Sequence, residues 1–210
     1  MPRSKEAFQH IRDERKEQIL NISANVFAAK GLASTKIEDL AEAAGVSQGL
    51  LYRYFTDKED VFIALLEQAI KGAVQRAQDS MNYTGTPLEK LRWLTEQFLQ
   101  GMTEDPLYFQ LFSQAMALSG RVHETIRKLE TLVKILHELI TEGQSAGEIA
   151  KRDPDQLVLL YLSCLYGLAA GRGFYSRALN EHFPDVEAVL QILKPRDIEQ
   201  KKVVSINEKK

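Results

Sequence analysis

Residues 36–55 read KIEDLAEAAGVSQGLLYRYF, and this stretch decides the fold. Ile37, Leu40, Ala41 and Ala44 recur at the spacing of one apolar face of a short helix, which Gly45 ends. Gly45-Val46-Ser47 then forms a three-residue turn. Ser47 suits the N-cap of a second helix, and Val46 with Leu51 has the spacing of a hydrophobic staple across that start. The second helix is brief and stops near Phe55, ahead of Thr56-Asp57. On the upstream side Thr35 and Glu38 have capping-box spacing. The first short helix is therefore predicted to open with the Thr35 hydroxyl and the Glu38 carboxylate satisfying each other's backbone donors.

Outward from this stretch nearly every segment reads as helix, and no alternating strand pattern stands out. A first helix is predicted over 8–29, with Ile19, Ile22, Val26 and Phe27 on one stripe and Gly31 as a left-handed stop. A longer helix starts at Lys58 and shows Val61, Phe62, Leu65, Leu66, Ala69 and Ala73 on one face. Beyond Met81 the loop NYTGTP leads to Pro87, which suits a first helical turn. Further helices are predicted over 87–102, 106–118, 122–145, 155–179 and 184–193. The tail 194–210 is charged and weakly periodic, so it is expected to fray.

Two short helices joined by a tight glycine-containing turn are what a helix-turn-helix requires. In that arrangement the second helix lies in the DNA major groove and presents its N-terminal residues to base edges. The exposed positions here are Gln48, Gly49, Tyr52 and Arg53. Gln48 has the donor and acceptor for a bidentate pair with adenine, and Arg53 or Lys36 suits guanine or a phosphate. Gly49 removes bulk, so the helix can sit close to the groove. Tyr52 and Tyr54 offer hydroxyls to phosphates, and Lys58 adds a cation at the edge. The competing reading is an αα-corner whose aromatics serve the core. An outward face of Gln, Tyr, Arg, Ser and Gly has little purpose there, which favours DNA.

Bulk properties narrow the rest. The chain has 210 residues, 44% hydrophobic and 27% charged, with a formal net charge of −2. Residues 1–60 hold nine Lys/Arg against ten Asp/Glu, so any cationic face must be local. The N-terminal arm (Arg3, Lys5, Arg12, Arg15, Lys16) is a source of backbone affinity. The opening MPRSKEAFQHIRDERK lacks an apolar segment, so no signal peptide is expected. The longest apolar run, LVLLYLSCLYGLAA at 157–170, is shorter than the roughly 20 residues of a membrane span. A buried helix and no membrane partner are expected. Cys164 is the only cysteine, which excludes an intrachain disulfide framework and suits a cytoplasmic setting. His10, His123, His137 and His182 are scattered, with no metal or triad spacing, and no phosphate-cradling loop appears. Neither an enzyme nor a cofactor is expected.

The run from Ile19 to Leu66 closely resembles the DNA-binding domain of the TetR (tetracycline repressor) family. The resemblance is carried by Phe27 to Gly31, by Ile37, Leu40 and Ala41 with Gly45-Val46-Ser47, by Leu51-Tyr52-Arg53-Tyr54-Phe55, and by Asp57-Lys58-Glu59. It implies base contacts from Lys36 and Gln48, supported by Gly49 and Arg53. It also implies phosphate contacts from Thr35, Ser47, Tyr52, Tyr54 and Lys58. Leu50 departs from the small or polar residue common at its position. The expected fold is all-α. A three-helix helix-turn-helix DNA-binding domain would occupy 1–72, and a larger helical effector and dimerisation domain 73–210.

Specific binding by one such unit normally needs two half-sites, hence a homodimer on double-stranded operator DNA. The small residues Gly167, Ala170 and Gly171 permit close helix approach. With Val186, Val189, Leu190 and Leu193 they are the expected dimer interface. The resemblance also suggests a small-molecule pocket in the body. Its candidates are Trp93, Phe98, Met102, Phe109, Phe112, Met116, Tyr161 and Cys164, with an apolar or aromatic compound as effector. His137, Glu138, Arg121 and Arg172 are candidate polar anchors. The expected function is a repressor released from its operator by that effector. The alternative is an architectural or cell-cycle DNA-binding protein of the same fold with no effector.

Overall fold

The computed structural model describes residues 5–104, 106–116, 118, 120–171 and 182–195. Among them the regular structure is helical: α1 (Lys5–Ser34), α2 (Ile37–Ala43), α3 (Gln48–Leu51), α4 (Lys58–Asn82), α5 (Pro87–Glu104), α6 (Pro106–Met116), α7 (Arg121–Ile126), α8 (Glu130–Ser145), α9 (Pro154–Gly171) and α10 (Val186–Leu190). The chain divides into two compact units, Met1–Lys71 with Asp105–Lys128, and Gly72–Glu104 with Leu129–Lys210. The sequence division at 72/73 does not anticipate that 105–128 joins the first unit.

In the first unit α1 packs on both α2 and α6. Its buried stripe is Ile19, Leu20, Ala24 and Phe27, whereas Ile22 and Val26 are only half-buried. Phe27 meets Phe62 edge-on, with ring centroids 5.3 Å apart at 88°, the quadrupole-favoured geometry for a core aromatic pair. Leu40, Ala41, Leu51, Phe55, Val61, Leu65 and Leu66 are buried as well. The predicted helix 122–145 is interrupted by a 3-10 turn at Arg127–Leu129. The turn lies where the chain passes from the first unit, which holds α7, to the second, which holds α8.

The second unit packs α8 against α5 and α9, and α10 against α5 and α9. Its core holds Leu91, Leu94, Leu136, Leu139, Ile140, Leu157, Val158, Tyr161 and Leu165, closed by Val189, Leu190 and Leu193. The last three correct a sequence expectation. Assigned to the dimer interface, they are at most 1% exposed within their own chain. Short α10 spends its apolar residues on α5 and α9, because an isolated helix that brief gains its stability from packing. The predicted residues 172–179 of the preceding helix, Arg172, and the tail from 196 lie outside the described residues.

Candidate nucleic-acid interface

The start of α2 is built one residue later than the capping-box reading expects. Lys36 is the N-cap, in extended conformation (φ −107, ψ 159). Its backbone N–H donates to Asp39 Oδ2 at 2.8 Å, and Lys30 Nζ donates to Asp39 Oδ1 at 2.9 Å. The Lys36 backbone N–H and Lys30 together hold the Asp39 carboxyl below its ordinary value. Asp39, not Glu38, therefore closes this box.

Thr35 is correspondingly withdrawn. It is 0% exposed, and its hydroxyl donates back to Gly31 O at 2.7 Å. This corrects the expectation that Thr35 reaches a phosphate. Lys58 is also committed: its ammonium donates to Ala33 O at 3.0 Å and to Thr35 O at 2.7 Å. Two of its three donors thus cap carbonyls at the C-terminal end of α1, where the helix dipole favours a cation.

The turn after α2 is a Schellman closure. Gly45 has φ 61, its N–H donates to Glu42 O, and the Val46 N–H reaches Ala41 O. These bonds satisfy carbonyls that the helix end would otherwise orphan. Ser47 caps α3 as expected, its Oγ accepting from Leu50 N at 3.2 Å. The backbone bonds Tyr54 N to Leu51 O and Phe55 N to Leu51 O carry the turn on to Phe55.

Lys36, Ser47, Gln48, Gly49, Tyr52 and Arg53 are exposed, whereas Leu50 and Tyr54 are half-buried and Leu51 and Phe55 are buried. A Cβ placed on Gly49 would meet no atom within 4 Å. The chain's own packing therefore has no steric need for glycine there, although glycine in a helix costs about 0.5–1 kcal/mol relative to alanine. Two α1 cations frame the block. The Arg12 guanidinium lies 5.9 Å from the Tyr54 ring centroid, and Lys16 Nζ lies 5.5 Å from that of Phe55. Counted with the N-terminal arm as a source of backbone affinity, both lie within the helix predicted over 8–29, and packing sets them beside the aromatics.

In the same unit, Asp57 stands just before α4, and its carboxylate accepts from Asp60 N at 2.7 Å and from Arg121 Nη1 at 3.1 Å. Partial burial opposes ionisation of Asp57, but the Asp60 N–H and Arg121 outweigh it and lower the pKa. Arg121, a candidate effector anchor from the sequence, is thereby tied to the first turn of α4.

The body residues fall in separate places. Trp93, Phe98, Met102, Tyr161 and Cys164 belong to the second unit, and Phe109 and Phe112 to the first. The Met116 side chain lies outside the described residues. Trp93 stacks on Tyr83, with centroids 6.1 Å apart at 25°. Met102 is buried, and Phe98 and Cys164 are half-buried against the core. Tyr161 is fully buried, which raises its pKa, and its hydroxyl meets Thr95 Oγ1 at 2.9 Å. Thr95 donates to Leu91 O at 2.7 Å, so the shared proton comes from Tyr161. His137 lies 3.6 Å from Asp155 at the surface. Cys164 also borders an open groove of about 840 Å³, lined by Arg152, Leu160, Ser163, Gln191, Ile192 and Lys194 among others.

Of the interface residues, Gly167 is exposed, with nothing within 4 Å of an added Cβ, and Ala170, Gly171 and Val186 are half-buried. Leu159 and Leu160, 66% and 44% exposed on α9, extend the apolar surface. The sequence did not single them out, although their place in the longest apolar run was the available signal. Among the described residues no helix is long and apolar enough to cross a membrane, and no metal-binding cluster is formed.

Residues 19–65 match the family described as bacterial regulatory proteins, tetR family, and residues 84–170 match the tetracyclin repressor-like C-terminal domain. The fatty acid metabolism regulator protein of Bacillus subtilis is 26% identical over 137 residues, 63% of this chain and 69% of that protein. The HTH-type transcriptional repressor KstR2 of Mycobacterium tuberculosis is 34% identical over 82 residues, 39% of this chain and 41% of its own length. Among solved structures, the regulator FadR of Bacillus subtilis in complex with stearoyl-CoA superposes with a TM-score of 0.70. The identity is 20%, with 84% of this chain and 97% of that one covered, a likeness of fold. With the exposed face of α3 and the helical second unit, these matches place the chain in the TetR family of DNA-binding transcriptional regulators.

Proposed function

We propose that this chain works as a homodimer that represses transcription by holding a near-palindromic operator, and that a small-molecule effector with an apolar part releases it. The observation that carries the reading is the open face at the N-terminal end of α3, where Ser47, Gln48, Gly49, Tyr52 and Arg53 are exposed together. Gln48 reads a base, with Lys36 and Arg53 beside it. Gly49 lets the groove edge approach, and the hydroxyls of Ser47, Tyr52 and Tyr54 take phosphates. Two acidic residues near this face are engaged, Asp39 by Lys30 and Asp57 by Arg121.

Dimerisation is assigned to the outward side of α9, where Leu159 and Leu160 are exposed and Gly167 leaves space for a partner helix. The effector binds among the aromatics of the body. The B. subtilis relative concerned with fatty acid metabolism and the stearoyl-CoA complex support long-chain acyl thioesters as the first class to try. An effector releases DNA only if it binds the DNA-incompetent state more tightly.

The test is selection of a duplex from a random library by the purified protein, followed by titration of stearoyl-CoA into the complex. A selected palindrome whose affinity falls as the thioester is added is the expected result. Independent binding of thioester and duplex would remove this effector class, and failure to select any sequence would remove operator recognition.

A further inference from the structure

We propose that Gln114 is a positioning residue for operator recognition: it locks the break in α1 at Gly31 and so sets where Lys36 and α2 stand. The proposal rests on DNA binding by this family and names a residue that touches no DNA.

Gly31 has φ 74 and ψ 158 inside an otherwise helical segment, a region of backbone space that is essentially glycine-only. Backbone groups on both sides of this break are bonded by one side chain from α6. Gln114 Oε1 accepts from Leu32 N at 3.2 Å, and Gln114 Nε2 donates to Phe27 O at 3.1 Å. An added Cβ on Gly31 would lie 3.9 Å from Gln114 Oε1, so the carboxamide sits against the break itself. Only an amide offers an acceptor and a donor at its tip in this way; a carboxylate lacks the donor and a leucine lacks both.

From the break to the reading residues the backbone is tied at each step. Gly31 O accepts from Thr35 N at 3.2 Å and from the Thr35 hydroxyl at 2.7 Å. Ala33 O and Thr35 O accept from Lys58, and the next residue, Lys36, is the N-cap of α2. Gln114 thus anchors a short strap, bonded at Gly31, Leu32, Ala33 and Thr35, that ends on a base-reading position. Base contacts need sub-ångström placement, whereas phosphate attraction tolerates displacement. Loosening the strap should therefore reduce discrimination more than general affinity.

The experiment uses the full-length protein with Gln114→Leu and Gln114→Glu. Affinity is measured for the duplex selected by the parent and for a random duplex of equal length, with amide exchange at Leu32 followed by NMR. Gln114→Leu is expected to lose roughly ten-fold on the selected duplex, about one misplaced base contact, with random-duplex affinity nearly unchanged. Leu32 exchange should accelerate in that variant. Gln114→Glu keeps the acceptor for Leu32 but loses the donor to Phe27 O. It should keep Leu32 protected and lie between the other two in discrimination. Equal losses on both duplexes, or parent-like discrimination with parent-like Leu32 exchange, would overturn the proposal. If Gln114→Leu does not fold, parent-like discrimination in Gln114→Glu overturns it alone. A parent protein that selects no duplex would instead overturn DNA reading itself, which is a different outcome.

Discussion

Lys58→Met tests whether the cation at the start of α4 is a phosphate ligand or a cap. Methionine keeps much of the stem and deletes the ammonium, leaving Ala33 O and Thr35 O without the donors they now have at 3.0 and 2.7 Å. Hydrogen bonds from a charged donor are worth about 1.5–3 kcal/mol each. Ala33 is exposed and Lys58 half-buried, so water replaces much of one of them, whereas buried Thr35 gains no such replacement. The pair is therefore worth about 2 kcal/mol, a fall in Tm of about 4–8 °C for a chain of this size. A phosphate ligand behaves differently. Its loss would lower the slope of log affinity against log salt by about 0.9 per protomer, about 1.8 for a dimer. Thermal melts and salt titrations of the same preparation separate the two. The expected outcome is a lowered Tm with a salt slope close to the parent's. A parent-like Tm together with a slope reduced by about 1.8 would refute the capping role.

Gln48→Ala should relax the preference at one base position per half-site, weakening the selected duplex by about 1–3 kcal/mol with other duplexes little affected; repeating the selection with the variant would show it. Tyr161→Phe leaves Thr95 with its bond to Leu91 O and costs little, whereas Thr95→Val strands a buried phenol and costs about 1–3 kcal/mol. Urea unfolding of both singles and the double variant should show the double close to Tyr161→Phe. Asp39 and Asp57 both have lowered folded pKa values. Their contribution to stability is complete above about pH 4, the ordinary carboxylate range, and is lost as pH falls through the lower folded values. An Asp39→Asn, Asp57→Asn double variant should therefore show a shallower acid limb below pH 4 than the parent, measured by circular dichroism. An identical acid limb would exclude both carboxylates.

Local features carried most of what could be read without coordinates. The turn at Gly45, the Ser47 cap, the burial of Leu40, Ala41 and Leu51, and the exposed set Gln48, Gly49, Tyr52 and Arg53 depend on residues within a few positions of one another. Helical spacing and cap chemistry therefore determine them. The Thr35 misreading was local too: Thr35-Glu38 and Lys36-Asp39 share one spacing, and the choice between them was made by Gly31 O, Lys30 and Lys58, which lie up to 22 residues from Lys36. Three residues of the expected interface are corrected for a related reason. Val189, Leu190 and Leu193 look identical in sequence whether they face a second chain or α5 and α9 of their own, and only packing tells the two apart. Gln114 had no sequence signal at all, because its partner Leu32 stands 82 positions away. What the sequence by itself determined is the exposed face of α3 and the helical class. What the tertiary structure decided is which carbonyls Lys58 and Gln114 hold, because a long-range hydrogen bond to a helix break exists only once both elements have packed.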